Sequence, residues 1–93
     1  MQIELEDRET GGRYFIRTDD GEAEMTFSKT GDRIIIIDHT EMPKAMRHRG
    51  FGEALIVRVI ADMRAQGKKI VPLCPFAASQ FRRHPEWADM LDR

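Results

Sequence analysis

Apolar and polar residues alternate with period two over residues 2–8, Gln-Ile-Glu-Leu-Glu-Asp-Arg, which predicts a strand. Thr10-Gly11-Gly12 reads as a tight hairpin turn, and residues 13–18 as the partner strand. Asp19-Asp20-Gly21 turns the chain again, and Ala23, Met25 and Phe27 mark a third strand over residues 22–28. After Thr30-Gly31-Asp32 comes a strand over residues 33–40 with four consecutive isoleucines, Ile34 to Ile37. Apolar residues at both parities predict a strand covered on both faces and central in its sheet. The connections are too short for helices, so these four strands are expected to form an antiparallel meander.

Pro43 ends the strand pattern, and the period then changes. Phe51, Leu55, Val59 and Met63 recur at i+4, joined by Ile56 and Ile60, predicting one long amphipathic helix over residues 50–66. Glu53, Arg58, Asp62 and Arg64 are expected to face away from that stripe, and Gly67 suits the helix end. Residues 69–73, Lys-Ile-Val-Pro-Leu, form a short apolar strand, so strand, helix and strand imply a crossover and one parallel pairing. Residues 76–90 read as one or two short helices broken at His84-Pro85. The predicted order is β-β-β-β-α-β-α, an α+β fold in the form of a mixed α/β sandwich.

A length of 93 residues fits one domain, residues 1–93, with no internal repeat or linker. Hydrophobic and charged fractions of 41% and 33% exclude a collagen-like or low-complexity chain. No apolar run approaches the roughly 20 residues of a membrane helix. The acidic, alternating N-terminus is unlike a signal peptide. With Cys74 as the one cysteine there is no internal disulfide, and a cytoplasmic address is expected. The net charge of −1 hides an asymmetry: residues 1–46 carry 11 acids and 6 bases, residues 47–93 carry 5 acids and 9 bases. The second half favours an anion, but the whole is far from a basic nucleic-acid binder, so no nucleic-acid partner is expected. Six methionines and a small core fit a monomer or a weak homodimer.

The stretch that carries chemistry is Arg47-His48-Arg49-Gly50-Phe51-Gly52, immediately before the long helix. Gly50 and Gly52 allow close backbone approach to a ligand. The free N–H groups and dipole of a helix start attract an anion, and Arg47 and Arg49 add full charges. Together these describe a phosphate or pyrophosphate site. A loop that merely needs glycine to enter a helix, with solvated arginines, is the plainer alternative. The three-glycine dinucleotide fingerprint and the Gly-Lys-Ser/Thr ending of a P-loop are both absent.

Arg47-x-x-Gly50-x-Gly52 at a strand-to-helix junction resembles the Arg/Gln-x-x-Gly-x-Gly/Ala motif of the GNAT-superfamily N-acetyltransferases. His39-Thr40-Glu41-Met42-Pro43, Arg49-Gly50-Phe51-Gly52, Val71-Pro72-Leu73-Cys74-Pro75-Phe76 and His84-Pro85-Glu86 are together similar to the compact yjdJ-type N-acetyltransferase domain. The resemblance covers residues of about 33–90 well and the first strands loosely. It implies acetyl-CoA as co-substrate. The loop Arg47, His48, Arg49, Gly50, Phe51 and Gly52 would hold the pyrophosphate of coenzyme A. His39, Thr40, Glu41 and Met42 would hydrogen-bond the pantetheine arm, in a strand that splays from residues 69–73 to admit the thioester. GNAT enzymes usually carry acceptor-binding helices between their first two strands; here only Thr10-Gly11-Gly12 fits there, which implies an open acceptor side.

Three residues are candidates for catalysis. The resemblance puts Cys74 near the splayed gap, as a nucleophile or as a proton donor to the leaving thiolate. A free thiol is mostly protonated at neutral pH, so donation needs no tuning, whereas attack needs a base or a positive field. The alternative is a buried small hydrophobe. His39 is a candidate base for an attacking ammonium, against a strand-end histidine bonded to backbone. Glu41 could serve directly or through a water, against a solvated carboxylate. Arg82 and Arg83 are candidate contacts to CoA phosphate, against a solvated helix face. Three histidines and one cysteine show no metal-ligand spacing, so no metal is expected. The expectation is an acetyl-CoA-dependent N-acetyltransferase acting on an unidentified amine by direct attack in a ternary complex. The alternative is a CoA-binding module with little turnover.

Overall fold

The computed structural model describes residues 1–92. Five strands lie side by side in chain order: β1 (Glu4–Asp7), β2 (Gly11–Thr18), β3 (Gly21–Thr30), β4 (Ile34–Glu41) and β5 (Lys69–Pro72). The first four are antiparallel neighbours, and β5 runs parallel to β4. Helix α1 (Phe51–Gln66) makes the crossover between them, and α2 (Pro75–Arg83) follows β5. Short 3-10 segments at Lys44–Met46 and Pro85–Met90 complete the order, which is the one predicted from periodicity. Pro43 and His84-Pro85 interrupt the chain where the sequence places breaks.

Boundaries differ where backbone contact, not turn chemistry, selects the residue. Gly11 and Gly12 are the first residues of β2, paired with Ser28 and Phe27, and the turn is residues 8–10. A Cβ on Gly12 would overlap the Glu6 carbonyl oxygen, so this glycine lets β1 approach β2.

The helices share one face of the sheet. Tyr14, Ile16, Met25, Phe27, Ile35, Ile37 and Ile70 turn toward that face, and Leu55, Ile56, Val59, Ile60 and Met63 of α1 meet them with Ala77 and Phe81 of α2. The expectation that the isoleucine run is covered on both faces is corrected here. Ile35 and Ile37 are buried, but Ile34 and Ile36 are only partly so, because among the described residues no helix covers the second face. Continuous apolar sequence reflects a strand's interior place in the sheet as well as its coverage. On the open face, Phe15 is 3% exposed although no helix among the described residues lies above it. The guanidinium carbons of Arg13 and Arg17 stand 3.9 and 4.9 Å from its ring centre and take the helix's place. Arg13 is held there by Glu6, Glu22 and Glu24 at 2.8–2.9 Å.

Two features tie α1 down. Gly67 ends it in the left-handed conformation, its N–H reaching the Met63 and Arg64 carbonyls. Asp62, expected to face solvent, instead accepts the Tyr14 hydroxyl at 2.8 Å and Arg58 Nε at 3.1 Å, linking the helix to β2. Among the described residues no helix is long and apolar enough to cross a membrane.

One irregularity decides what the end of β4 presents. Phe27 pairs with Ile37, but Thr26 pairs with His39, so Asp38 is an extra residue on β4. Its carboxylate accepts the Ser28 hydroxyl at 2.7 Å. The bulge shifts the alternation by one. Thr40 therefore joins the helix-side row with Met25, while His39 and Glu41 join the open face.

Candidate functional site

The β4–β5 ladder runs from Ile34–Lys69 to Ile37–Pro72 and stops. Leu73 and Cys74 both donate their N–H groups to the Ile37 carbonyl at 3.1 Å, and the chain leaves the sheet to start α2. Residues 38–41 of β4 continue without a paired strand on that side among the described residues. The strands part, and a cavity of about 460 Å3 opens between the end of β4, the start of α1 and Phe76 of α2. This volume lies within the ordinary range of small-molecule sites.

His39 to Met42, Arg47, His48 and Gly50 to Gly52 all line this cavity, so nine of the ten residues expected to hold a cofactor share one wall. Arg49 is the exception. It donates to Asp20 Oδ2 at 2.9 Å and to the Ala45 carbonyl at 3.0 Å, and its guanidinium lies 5.2 Å from the Phe51 ring centre. Arg49 thus closes the loop from behind, and Arg47 is the arginine the cavity retains.

The loop enters α1 through left-handed residues. Gly50 has φ 86°, and His48 has φ 61°, a conformation in which a side chain is strained by about 1 kcal/mol or more. Gly50 caps α1 without a side-chain acceptor, and the first N–H to find a carbonyl is that of Ala54, 3.0 Å from Gly50 O. The donors of Phe51, Gly52 and Glu53 meet no acceptor among the described residues. A Cβ on Gly50 would meet only Glu53 Oε2, at an ordinary contact distance of 3.8 Å, so it is the left-handed backbone that favours glycine there.

Gly52 has a different reason to be glycine. A Cβ there would lie 2.6 Å from Phe76 Cζ, so the missing side chain admits the Phe76 ring and not a ligand. Gly52 reaches the cavity only as backbone. Phe76 and Glu53 also line the cavity and were not singled out from sequence as ligand contacts. Phe76 belongs to the Val71–Phe76 stretch that resembles the family, whereas Glu53 carries no signal beyond its place in the first helical turn.

The three candidate catalytic residues do not converge. His39 and Glu41 are neighbours on the open face, with Nε2 and Oε2 3.5 Å apart and both side chains exposed. Glu41 also borders a second recess of about 320 Å3 with Glu22 and Glu24. The carboxyl of Glu22 is held below its usual range by hydrogen bonds from Arg17 and then Arg13. Cys74 lies on the helix side, 4% exposed and off the cavity wall. Its sulfur caps α2 by accepting the Ala77 N–H at 3.4 Å and lies 3.4 Å from Thr40 Oγ1. Thr40, which lines the cavity, separates Cys74 from it. Arg82 and Arg83 fall in the last turn of α2 and do not border the cavity. Among the described residues no three His, Cys, Asp or Glu side chains converge on a metal position.

The wall fits the charged part of a nucleotide cofactor in most respects: unpaired amides, Arg47, His48, and a cleft opening into the splayed strands. Comparison with known proteins agrees with this architecture. The family model described as GCN5-related N-acetyl-transferase matches residues 13–90. The solution structure of a GCN5-like protein from Staphylococcus aureus is similar in fold, with a TM-score of 0.69 and 24% identity, over 96% of this chain and 87% of that one. No curated protein matches the chain.

Proposed function

The chain belongs to the GCN5-related N-acetyltransferase family, and we propose that it moves an acetyl group from acetyl-CoA to an amine by direct attack in a ternary complex. One observation carries the cofactor part of this reading. The parted strands and the α1 N-terminus form one continuous cavity whose wall holds both β4 hydrogen-bonding groups and unpaired helix amides. Arg47, His48 and the amides of residues 51–53 would meet the pyrophosphate. The unpaired side of residues 39–42 would meet the pantetheine amides in the manner of an added strand.

The co-substrate supplies an activated acyl group as a thioester. An amine nitrogen bonds to its carbonyl carbon, the C–S bond breaks, and the electron pair leaves with the coenzyme A thiolate. What the chain adds is mainly orientation and a backbone N–H of residues 39–42 aimed at the carbonyl oxygen. His39 and Glu41, exposed side by side on the open face, are placed to take the proton of an arriving ammonium. Cys74 reaches the cavity only through Thr40, which favours an indirect role over an acetyl-cysteine intermediate.

The three-residue connection between β1 and β2 leaves no room for an acceptor-binding helix, so the acceptor side is open. That suits an exposed lysine or amino terminus. It equally favours a second reading, a CoA-binding domain with little turnover. Titration calorimetry with acetyl-CoA and CoA tests the shared part: one-site micromolar binding that weakens in Arg47→Ala is expected. No binding at millimolar ligand overturns both readings. Acetyl transfer to a panel of small amines and lysine peptides then separates them.

A further inference from the structure

Among the described residues Phe76 is the one side chain of α2 that reaches the cavity, and its place is fixed from three directions. The amides of Leu73 and Cys74, both on the Ile37 carbonyl, hold the start of α2 where the strands part. The Cys74 sulfur, accepting the Ala77 N–H, sets the first turn, in which Phe76 is the second residue. The far edge of the ring rests on Gly52: Cζ, Cε2 and Cε1 stand 2.6, 3.1 and 3.2 Å from where a Cβ would be. The other aromatic rings of the described residues pack on a second ring or under a guanidinium, as Phe27 does with Tyr14, Phe81 with Trp87 and Phe51 with Arg49. Phe76 has neither, and its half-buried ring lines the cavity instead. Residues 39–42 line the same cavity from β4. An apolar wall combined with a row of backbone hydrogen-bonding groups fits a ligand with amides on one edge and hydrocarbon on the other.

Resting on the acetyl-CoA reading, we infer that Phe76 is a specificity-determining residue: its ring is the apolar wall that receives the methyl and methylene groups of the pantetheine arm. An arm laid beside residues 39–42 directs its amides to β4 and turns its geminal methyls toward α2. Covering the ring removes apolar surface of both partners from water. A nucleotide diphosphate without the arm, such as ADP, reaches the same α1 amides and Arg47 but leaves the ring bare. Phe76 therefore favours the whole coenzyme over nucleotides that share its pyrophosphate, and it does so without charge. Gly52 ties the two halves of the site together. The residue whose amide would meet the pyrophosphate is also the one whose missing side chain seats the wall.

The test compares wild type, Phe76→Leu and Phe76→Ala by NMR titration with CoA, pantetheine and ADP. Loss of one ring face of apolar contact predicts that Phe76→Ala binds CoA and pantetheine about tenfold more weakly than wild type. Phe76→Leu should fall between the two, and ADP should bind all three proteins alike. In wild type, the geminal methyl protons of bound CoA should shift upfield and show nuclear Overhauser contacts to the Phe76 ring, a readout that needs no variant. Unchanged CoA binding in both variants, with wild type binding normally, overturns this inference alone. Absence of those contacts in the wild-type complex overturns it too. An equal loss for ADP also overturns it, because the ring would then act by holding the α1 N-terminus in place. Failure of wild type to bind CoA removes the reading beneath it as well.

Discussion

The sulfur of Cys74 lies 3.4 Å from the Thr40 hydroxyl while accepting the Ala77 N–H at the same distance. One buried side chain thus caps α2 and braces Thr40, one of the β4 residues that line the cavity. Cys74→Ser preserves both contacts with a better capping group and should be at least as stable as wild type. Cys74→Ala loses the cap and should cost about 1 kcal/mol. Under direct attack both variants keep acetyl transfer within about tenfold of wild type, whereas an obligatory acetyl-cysteine predicts loss of nearly all activity in each. Thr40→Val should be the more damaging change, because it alters the cavity wall itself. Steady-state rates with one amine acceptor decide the matter.

Gly52 serves the packing of the fold, because its missing side chain makes room for the Phe76 ring. Gly52→Ala places a methyl 2.6 Å from Phe76 Cζ and should destabilise by about 1–3 kcal/mol. Gly52→Ala combined with Phe76→Leu should recover part of that loss, since the obstructing ring is gone. Urea unfolding of the three variants measures it. A Gly52→Ala protein of full stability would contradict the packing described.

The two arginines of the loop should separate cleanly. Arg47→Ala should weaken CoA binding and flatten its salt dependence, because Arg47 lines the cavity. Arg49→Ala should leave the salt dependence nearly unchanged, because its guanidinium is committed to Asp20 and the Ala45 carbonyl. Calorimetry at several ionic strengths compares them.

Acid should act through the open face. Hydrogen bonds from Arg13 hold Glu6 below its ordinary value near 4.5, and Arg17 and Arg13 do the same for Glu22. A depressed folded-state value means that the stabilisation is complete above about pH 4.5 and fades as pH falls through the folded values. Arg13→Met returns these carboxylates toward their ordinary range. Its stability should therefore fall less steeply than that of wild type between about pH 5 and 3. Chemical unfolding across that range gives both slopes.

Alkali should act through Tyr14. Burial, and then its hydrogen bond to Asp62, raise the Tyr14 phenol well above the usual tyrosine range. The raised value means that its contribution is fully present below about pH 10 and is lost as pH rises above that. Tyr14→Phe should cost about 1–2 kcal/mol at neutral pH, and the difference from wild type should shrink above about pH 10. Thermal melts at neutral and alkaline pH test it.

Much of the fold was legible because burial here is one-sided and periodic. Ala23, Met25 and Phe27 mark β3, and Phe51 through Met63 mark α1, since each turns the same way at its own period. The isoleucine run misled about coverage, because four apolar residues in sequence do not say whether a helix lies above each. Phe15 conveyed nothing of its lid, which depends on arginines held in place by three strands. In the site, the loop before α1 was readable because glycine and arginine before an amphipathic stripe carry a physical meaning of their own. The separate duties of Arg47 and Arg49 were not, since they depend on Asp20, 29 residues away in the chain. The division of His39 and Glu41 from Cys74 was equally hidden, because it follows from a bulge that no residue type announces.

That bulge gives β4 something like a reading frame. Asp38 is the inserted letter, and everything after it is read out of phase with the isoleucines before it. Deleting Asp38 would swing His39 toward α2 and Thr40 toward solvent at a stroke. No replacement at residues 39, 40 or 41 could achieve the same exchange. The length of this strand, more than the identity of any one residue on it, therefore sets which side chains face α2 and which face the open side, and a one-residue insertion or deletion here would exchange them.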